Sequence, residues 1–210
     1  MQIVVLADAL QKEELLNGAT VSNVVWVEDA QDFLQNKDAD AFIDLKFSNS
    51  NERKAVLKQL LPKLVVVNSV VDTLSEIAQS FVRINGWRTF LSSTIIEAAT
   101  SDEESKQKTE TAFAAFCYNI EWLPDDPGFI TPRVVSMIIN EAFISLSEGV
   151  STKEEINTAM KLGTAYPYGP FEWAEKIGVQ NIVTLLQKLS ASQSRYTPAE
   201  LLVQEAGKAI

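Results

Sequence analysis

The sequence predicts an α/β domain followed by an all-α domain, and three observations carry that expectation. From Gln2 onward, short β-branched apolar runs alternate with stretches of helical spacing, an order that folds as a parallel sheet with right-handed crossovers. At Asp125-Asp126-Pro127-Gly128 a strong turn signal interrupts the alternation. Beyond it the apolar stretches have helical spacing and are punctuated by helix caps and breakers. The expected division is residues 1–127 for the α/β domain and 128–210 for the helical one.

In order, Gln2 to Leu6 is an uninterrupted apolar run of the kind that forms a strand buried on both faces. Lys12 to Asn17 is a short helical piece, Val24 to Val27 a second strand and Asp32 to Leu34 a helical turn. Ala41 to Leu45 is a third strand, followed by a helix over 51–61; Leu64 to Val67 is a fourth, followed by a helix over 73–80. Phe81 to Asn85, Phe90-Leu91 and Thr94 to Ala98 read as further strand segments. Asp102 to Cys117 is an amphipathic helix with an acidic first turn, which complements the helix dipole. Ile120 to Leu123 is the last strand.

In the helical part, Thr131 is placed to cap a helix whose first residue is Pro132, where a missing N–H costs nothing. Val135, Ile138, Ile139, Ala142 and Leu146 form one stripe of this helix, while Val134, Met137 and Ile144 lie outside it, so the helix is apolar on two sides. Ser151 or Thr152, each with a Glu three residues on, begins a second helix with a capping box. Ile156, Ala159 and Met160 are its expected inner face and Gly163 its C-cap. Pro167 and Gly169-Pro170 enforce a tight turn before a short helix from Phe171 to Gly178. A polar link over 190–195 leads to a last helix started by Thr197-Pro198-Ala199-Glu200.

The chain of 210 residues is 46% apolar and carries a net charge of −10, with an isoelectric point near 4.6. Such an acidic surface disfavours nucleic acid and anionic membranes as partners. No apolar run reaches the roughly 18 residues that span a bilayer. The N-terminus enters a strand directly, with no basic leader, and Cys117 is the lone cysteine, so the expected compartment is the cytoplasm. The chain contains no histidine, which removes the commonest general base and the commonest metal ligand together. No metal site is expected.

The run P-G-F-I-x-x-R from Pro127, N-E-A from Asn140, E-G-V-x-T-x-E-x-I-x-T-A-M-K-L-G from Glu148 and Y-P-x-G-P-F-E from Tyr166 resembles the C-terminal domain of the 3-hydroxyacyl-CoA dehydrogenase family. The match continues for tens of residues, far beyond a short motif. Upstream, D-A-D-A-F-I-D-L from Asp38, L-V-V-V-N-S-V-V-D-T from Leu64 and G-W-R-T-F-L-S-S-T-I-I-E from Gly86 are similar in order and spacing to that family's nucleotide-binding domain. R-Y-T-P-A-E-L-L-V-Q-E-A-G-K from Arg195 resembles its last helix. The resemblance implies a Rossmann-like sheet domain, here reduced, an NAD cofactor and an acyl-CoA substrate in the parent family, and a homodimer paired through the helical domain.

The residues that would carry the chemistry depart from the family. A dinucleotide site needs G-x-G-x-x-G after the first strand, where backbone approaches the pyrophosphate at a helix N-terminus. Here the strand runs into Ala7-Asp8-Ala9-Leu10, and the first glycine is Gly18. Asp8 would set a like charge beside any phosphate. Glu28 or Asp29 stands near the place of the family's ribose-binding acid, a weak signal without the glycine loop. The resemblance puts Arg88 on the family's catalytic His, and a guanidinium does not take up a proton. The family's activating Glu persists as Glu97, over a shorter connection. Val70 replaces a substrate-contacting Ser, and Pro132 replaces an Asn. No cofactor is therefore expected.

Two readings of Arg88 and Glu97 stay open: a retuned pocket that binds a carboxylate or phosphate, with Asn68 as a further lining candidate, or an ion pair filling a vacated site. As the family's catalytic pair they are expected to share one cleft. Trp87, Trp122 and Trp173 read as core or interface, Tyr166 and Tyr168 as packing of the helical domain, and Cys117 has no neighbouring base to make it a nucleophile. The expected function is a catalytically degenerate relative of the dehydrogenases that binds or scaffolds an acyl-CoA or other small acid. The alternative is an active oxidoreductase of fatty-acid metabolism with a rebuilt site. The expected dimer surface is the second stripe of the Pro132 helix, Val134, Met137 and Ile144, together with Ile138.

Overall fold

The computed structural model describes residues 1–18 and 20–208. The chain forms two compact units, Met1–Phe129 and the residues from Ile130 onward. The boundary lies two residues beyond the one read from the sequence. Gly128 and Phe129 stay with the first unit because the Gly128 N–H bonds the Val70 carbonyl at 2.7 Å and the Phe129 ring lies 4.1 Å from the Arg83 guanidinium.

The first unit is a seven-stranded sheet. Its strands are β1 (Ile3–Leu6), β2 (Val24–Val27), β3 (Ala41–Asp44), β4 (Leu64–Asn68), β5 (Val82–Ile84), β6 (Ile95–Ala99) and β7 (Asn119–Trp122), in the order β2-β1-β3-β4-β5-β6-β7. β1 to β5 are parallel. β6 pairs antiparallel with β5, and β7 runs parallel to β6. The parallel sheet expected from the sequence is found at every pairing but β5–β6. Residues 85–94 contain no helix, and a parallel crossover needs a dozen or more residues. For the same reason Phe90-Leu91 is part of a turn rather than a strand.

Side chains alternate across the sheet, and both faces are covered. Ile3, Val5, Ile43, Val66 and Ile96 pack with Leu15 of α1 (Ala9–Leu16) and with Ala112 and Phe113 of α4 (Glu103–Ala114). Val4, Leu6, Phe42, Val65 and Val67 pack on the other face. Their partners are Phe33 of a 3-10 helix (Ala30–Asn36), Leu57 of α2 (Asn51–Lys58) and Leu74 of α3 (Leu74–Ile77). Continuous β-branched runs with no polar alternation are what two covered faces require. α2 stops short of the expected Leu61 because residue 62 is proline, which disfavours helical geometry in the residue before it. α4 ends at Ala114, so Cys117 is not on a helix; it sits exposed in a left-handed turn (φ 66°) between Phe116 and Tyr118, which both face the core.

The second unit is built around α5 (Thr131–Ser147), which contacts α7 (Pro170–Ile177), α8 (Val179–Ser190) and α9 (Glu200–Lys208). The helix α8 is not among those read from the sequence. Its Ile182, Val183, Leu185, Leu186 and Leu189 are buried, the spacing of one broad helical face. Ile130 already has helical angles, so Thr131 is the first residue of α5 rather than its cap; Pro132 stands second, still within the turn whose N–H groups lack helical acceptors. α6 (Lys153–Thr164) has the expected capping box of Thr152 and Glu155, but Ala165 rather than Gly163 takes the left-handed terminal position. No residue of α6 is buried, and Ala159, assigned to an inner face, is exposed. α9 starts at Glu200; its preceding N–H, from Ala199, is capped by Asn140 from α5 instead of by Thr197. No described helix is long and apolar enough to cross a membrane.

Candidate functional site

In an open α/β sheet, ligands bind outside the carboxyl ends of the strands at the point where the strand order reverses. Here that point lies between β1 and β3. Only Ala7 and Asp8 separate β1 from α1. Asp8 is the N-cap: its Oδ1 accepts the Gln11 N–H at 2.8 Å, while Gln11 Oε1 accepts the Asp8 N–H at 3.1 Å. A carboxylate thus satisfies the helix terminus that a pyrophosphate occupies in a dinucleotide site. The D-x-x-Q spacing is a capping box and could have been read as one from the sequence.

The crevice itself is filled by polar side chains. Gln11, 7% exposed, donates from Nε2 to the Leu45 carbonyl just past β3 at 2.9 Å. Asn68, at the end of β4, donates to the same carbonyl at 3.1 Å and accepts the Gly86 N–H at 3.0 Å. Gly86 must be glycine for this approach, since a Cβ there would lie 2.9 Å from Asn68 Cβ. Asn68 is therefore spent on holding three chain segments together. Glu28 is exposed at the end of β2, and its neighbour Asp29 caps the 3-10 helix through a 2.8 Å bond from the Gln31 N–H.

The family's catalytic positions are dispersed among structural contacts. Val70 is 2% exposed and offers no polar group but its backbone. Arg88 pairs with Glu14 of α1, Nε to Oε1 at 3.7 Å. The ion pair between Arg88 and Glu97 weighed from the sequence is not formed. Glu14 also accepts the Thr89 N–H at 2.8 Å, fixing Thr89 in a left-handed conformation (φ 77°), and the Glu14 carbonyl accepts the Tyr118 hydroxyl at 3.0 Å. Desolvation, and after it the charge of Glu14, pushes the Tyr118 phenol up to about 12. Glu97, 8% exposed on β6, accepts from Asn85 Nδ2 at 3.0 Å. Glu14, Gln11 and Asn85 are the site residues that the sequence reading misses. For Glu14 there is no sequence signal, because its partners Thr89 and Tyr118 are 75 and 104 positions away.

Pro132 is buried in the first turn of α5 in the helical unit, and Ser136, one turn further, is 1% exposed with no hydrogen-bond partner for Oγ. The residues that carry the family resemblance here are structural. Asn140 receives the Ala199 N–H and donates to the Thr197 carbonyl. Asn157 Oδ1 accepts the Phe171 N–H at 3.0 Å, and Glu172 accepts both the Gly169 N–H at 2.9 Å and Lys161 Nζ at 2.5 Å. Tyr166 and Tyr168 pack on Trp173, at 5.3 and 6.2 Å between ring centroids. Val134, Met137 and Ile138 line an apolar groove of about 680 Å³ together with Val150, Ile156 and Met160. Ile144 is half-buried outside it.

A family model described as 3-hydroxyacyl-CoA dehydrogenase, C-terminal domain, matches residues 128–208. The 3-hydroxyadipyl-CoA dehydrogenase of Escherichia coli (strain K12) is 38% identical over 115 residues, covering 54% of this chain and 24% of that protein. The 3-hydroxybutyryl-CoA dehydrogenase of Clostridioides difficile is 30% identical over 186 residues, covering 80% of this chain and 66% of that protein. The chain thus spans about a quarter of the first relative and two thirds of the second. Among solved structures, the (S)-3-hydroxybutyryl-CoA dehydrogenase PaaH1 from Ralstonia eutropha superimposes with a TM-score of 0.74 at 19% identity, over 100% of this chain and 86% of that one. At that identity the likeness concerns the fold.

Proposed function

The chain belongs to the 3-hydroxyacyl-CoA dehydrogenase family, and from that premise we propose that it is a catalytically degenerate member, a pseudoenzyme that binds or scaffolds rather than oxidises. The observation that carries this reading is the closed switch point. The Asp8 carboxylate takes the Gln11 N–H at the start of α1, the Gln11 side chain bridges to the Leu45 carbonyl, and no glycine loop precedes this helix terminus. Arg88 and Val70 replace the His and Ser of the parent chemistry, and Arg88 is committed to Glu14. Retention of the helical unit's structural residues argues for a retained shape, and shape is what a scaffold supplies.

The ligand class supported by the relatives' names is a CoA thioester of a short hydroxy acid. The partner is a second copy, paired through Val134, Met137, Ile138 and Ile144, since Val134 is 53% exposed and the groove beside it is apolar. The lone Cys117 and the acidic surface fit a cytoplasmic protein. Titration with NADH, followed by cofactor fluorescence, tests the central point. No saturable signal is expected up to the millimolar range. Saturation at micromolar NADH would favour the alternative, an active oxidoreductase with a rebuilt site.

A further inference from the structure

We propose that Asp44 is a proton-operated latch on the β3–α2 connection, which stays closed while this carboxyl is neutral and opens more readily when it is ionised. Asp44 is the last residue of β3 and is 0% exposed. Its Oδ1 accepts the Lys46 N–H at 3.1 Å. Its Oδ2 is buried and receives no hydrogen bond. The Arg53 Nε lies 3.4 Å away as an ion pair, while Arg53 Nη2 donates to the Lys46 carbonyl at 3.2 Å. Arg53 stands in the first turn of α2, its N–H capped by Ser50 Oγ. One carboxyl and one guanidinium therefore span the whole connection over 45–50.

The charged groups facing Asp44 are Arg53 from α2, Lys46 from the connection and Asp29 from the 3-10 helix. Arg53 and Lys46 favour the anion and Asp29 opposes it. Desolvation outweighs them all and pushes the Asp44 carboxyl up to about 6. Opening the connection hydrates Asp44 and returns it toward the ordinary carboxylate range. By linkage, opening is then promoted as pH rises through the closed-state value. The residue after Asp44 is Leu45, whose carbonyl receives Gln11 and Asn68. The latch thus acts on the connection that closes the switch-point crevice.

Amide hydrogen exchange on the full chain between pH 4 and 7.5, corrected for intrinsic rates, tests this. Protection of residues 45–53 is expected to fall on the order of 100-fold across the window, since one carboxyl goes from about 6 when closed toward the ordinary carboxylate value when open. Asp44→Asn should make it flat. Arg53→Gln should move the midpoint to higher pH, because the guanidinium is what favours the anion. Identical pH dependence in wild type and Asp44→Asn, or an unmoved midpoint in Arg53→Gln, overturns the proposal. Should Asp44→Asn fail to fold, the ¹³C titration of the Asp44 carboxyl in the wild-type chain decides: a midpoint in the ordinary carboxylate range overturns it.

Discussion

Arg88 faces Glu14, not Glu97, with Nε 3.7 Å from Oε1, and the same Glu14 carboxylate accepts the Thr89 N–H. The segment that carries the base in the family is tied to α1 on both its side chain and its backbone. Replacing Arg88→His would set an imidazole beside Glu14, on a loop held in a left-handed turn at Thr89. We expect no turnover of 3-hydroxybutyryl-CoA with NAD or NADP from either wild type or Arg88→His, since the closed switch point is untouched by that change. Turnover above an Arg88→Ala, Glu97→Ala control would refute the expectation.

Stability should fall with rising pH on account of Asp44. Its folded-state value is raised, so the folded chain binds that proton more tightly than the unfolded one. The contribution is complete below about 4 and is lost as pH rises through about 6. At 1.36 kcal/mol per unit the span is roughly 3 kcal/mol at most. Urea unfolding of wild type and Asp44→Asn from pH 4 to 7.5 isolates it: the difference between the two should change up to about pH 6 and level off above that.

Arg83 and Asp125 should respond unequally to deletion. Arg83 is 0% exposed and donates to Asp125 Oδ1, to the Ser69 carbonyl and to the Asp126 carbonyl. Asp125 is 32% exposed at its side chain and also accepts the Leu74 N–H at the start of α3. Asp125→Ala strands a buried guanidinium, a change that costs about 3–5 kcal/mol. Arg83→Met leaves a carboxylate that water can reach and should cost less. Denaturant midpoints of the two variants check the order.

Gly169→Ala should destabilise the helical unit. The glycine has an ordinary φ of −74°, so backbone strain is not the cause. The new methyl would fall 2.2 Å from Asn157 Oδ1 and 2.5 Å from its Cβ. Asn157 cannot move without releasing the Phe171 N–H. A loss of about 1–3 kcal/mol follows from such overpacking, and a second change, Asn157→Ala, should recover part of it. Thermal unfolding of the single and double variants measures the coupling.

Sedimentation at micromolar concentration should give a dimer, shifted toward monomer by Met137→Glu, which places a charge in the apolar groove. A single species near 23.2 kDa in the wild type, unchanged on concentrating, would mean that the second stripe of α5 has no partner.

Legible along the chain were the strand–helix alternation of the first unit, the change from α/β to α near Pro127-Gly128, the family, and the absence of the glycine loop. These follow from local rules. Continuous apolar runs at 3–6, 41–43 and 64–67 require a sheet covered on both faces, and Ala7-Asp8-Ala9-Leu10 after the first strand holds no glycine to let backbone approach a pyrophosphate. The tertiary structure alone decided which charges meet. Arg88 goes to Glu14, Arg83 to Asp125 and Arg53 to Asp44, pairs separated by 74, 42 and 9 positions. Long side chains reach several partners, and only the packed backbone selects among them. The direction of β6 was also decided there, because ten residues without a helix cannot carry a chain back across the sheet. So was the role of the family's most recognisable polar residues. Asn140, Asn157 and Glu172 each satisfy a backbone N–H at a turn or helix start that would otherwise be left unpaired.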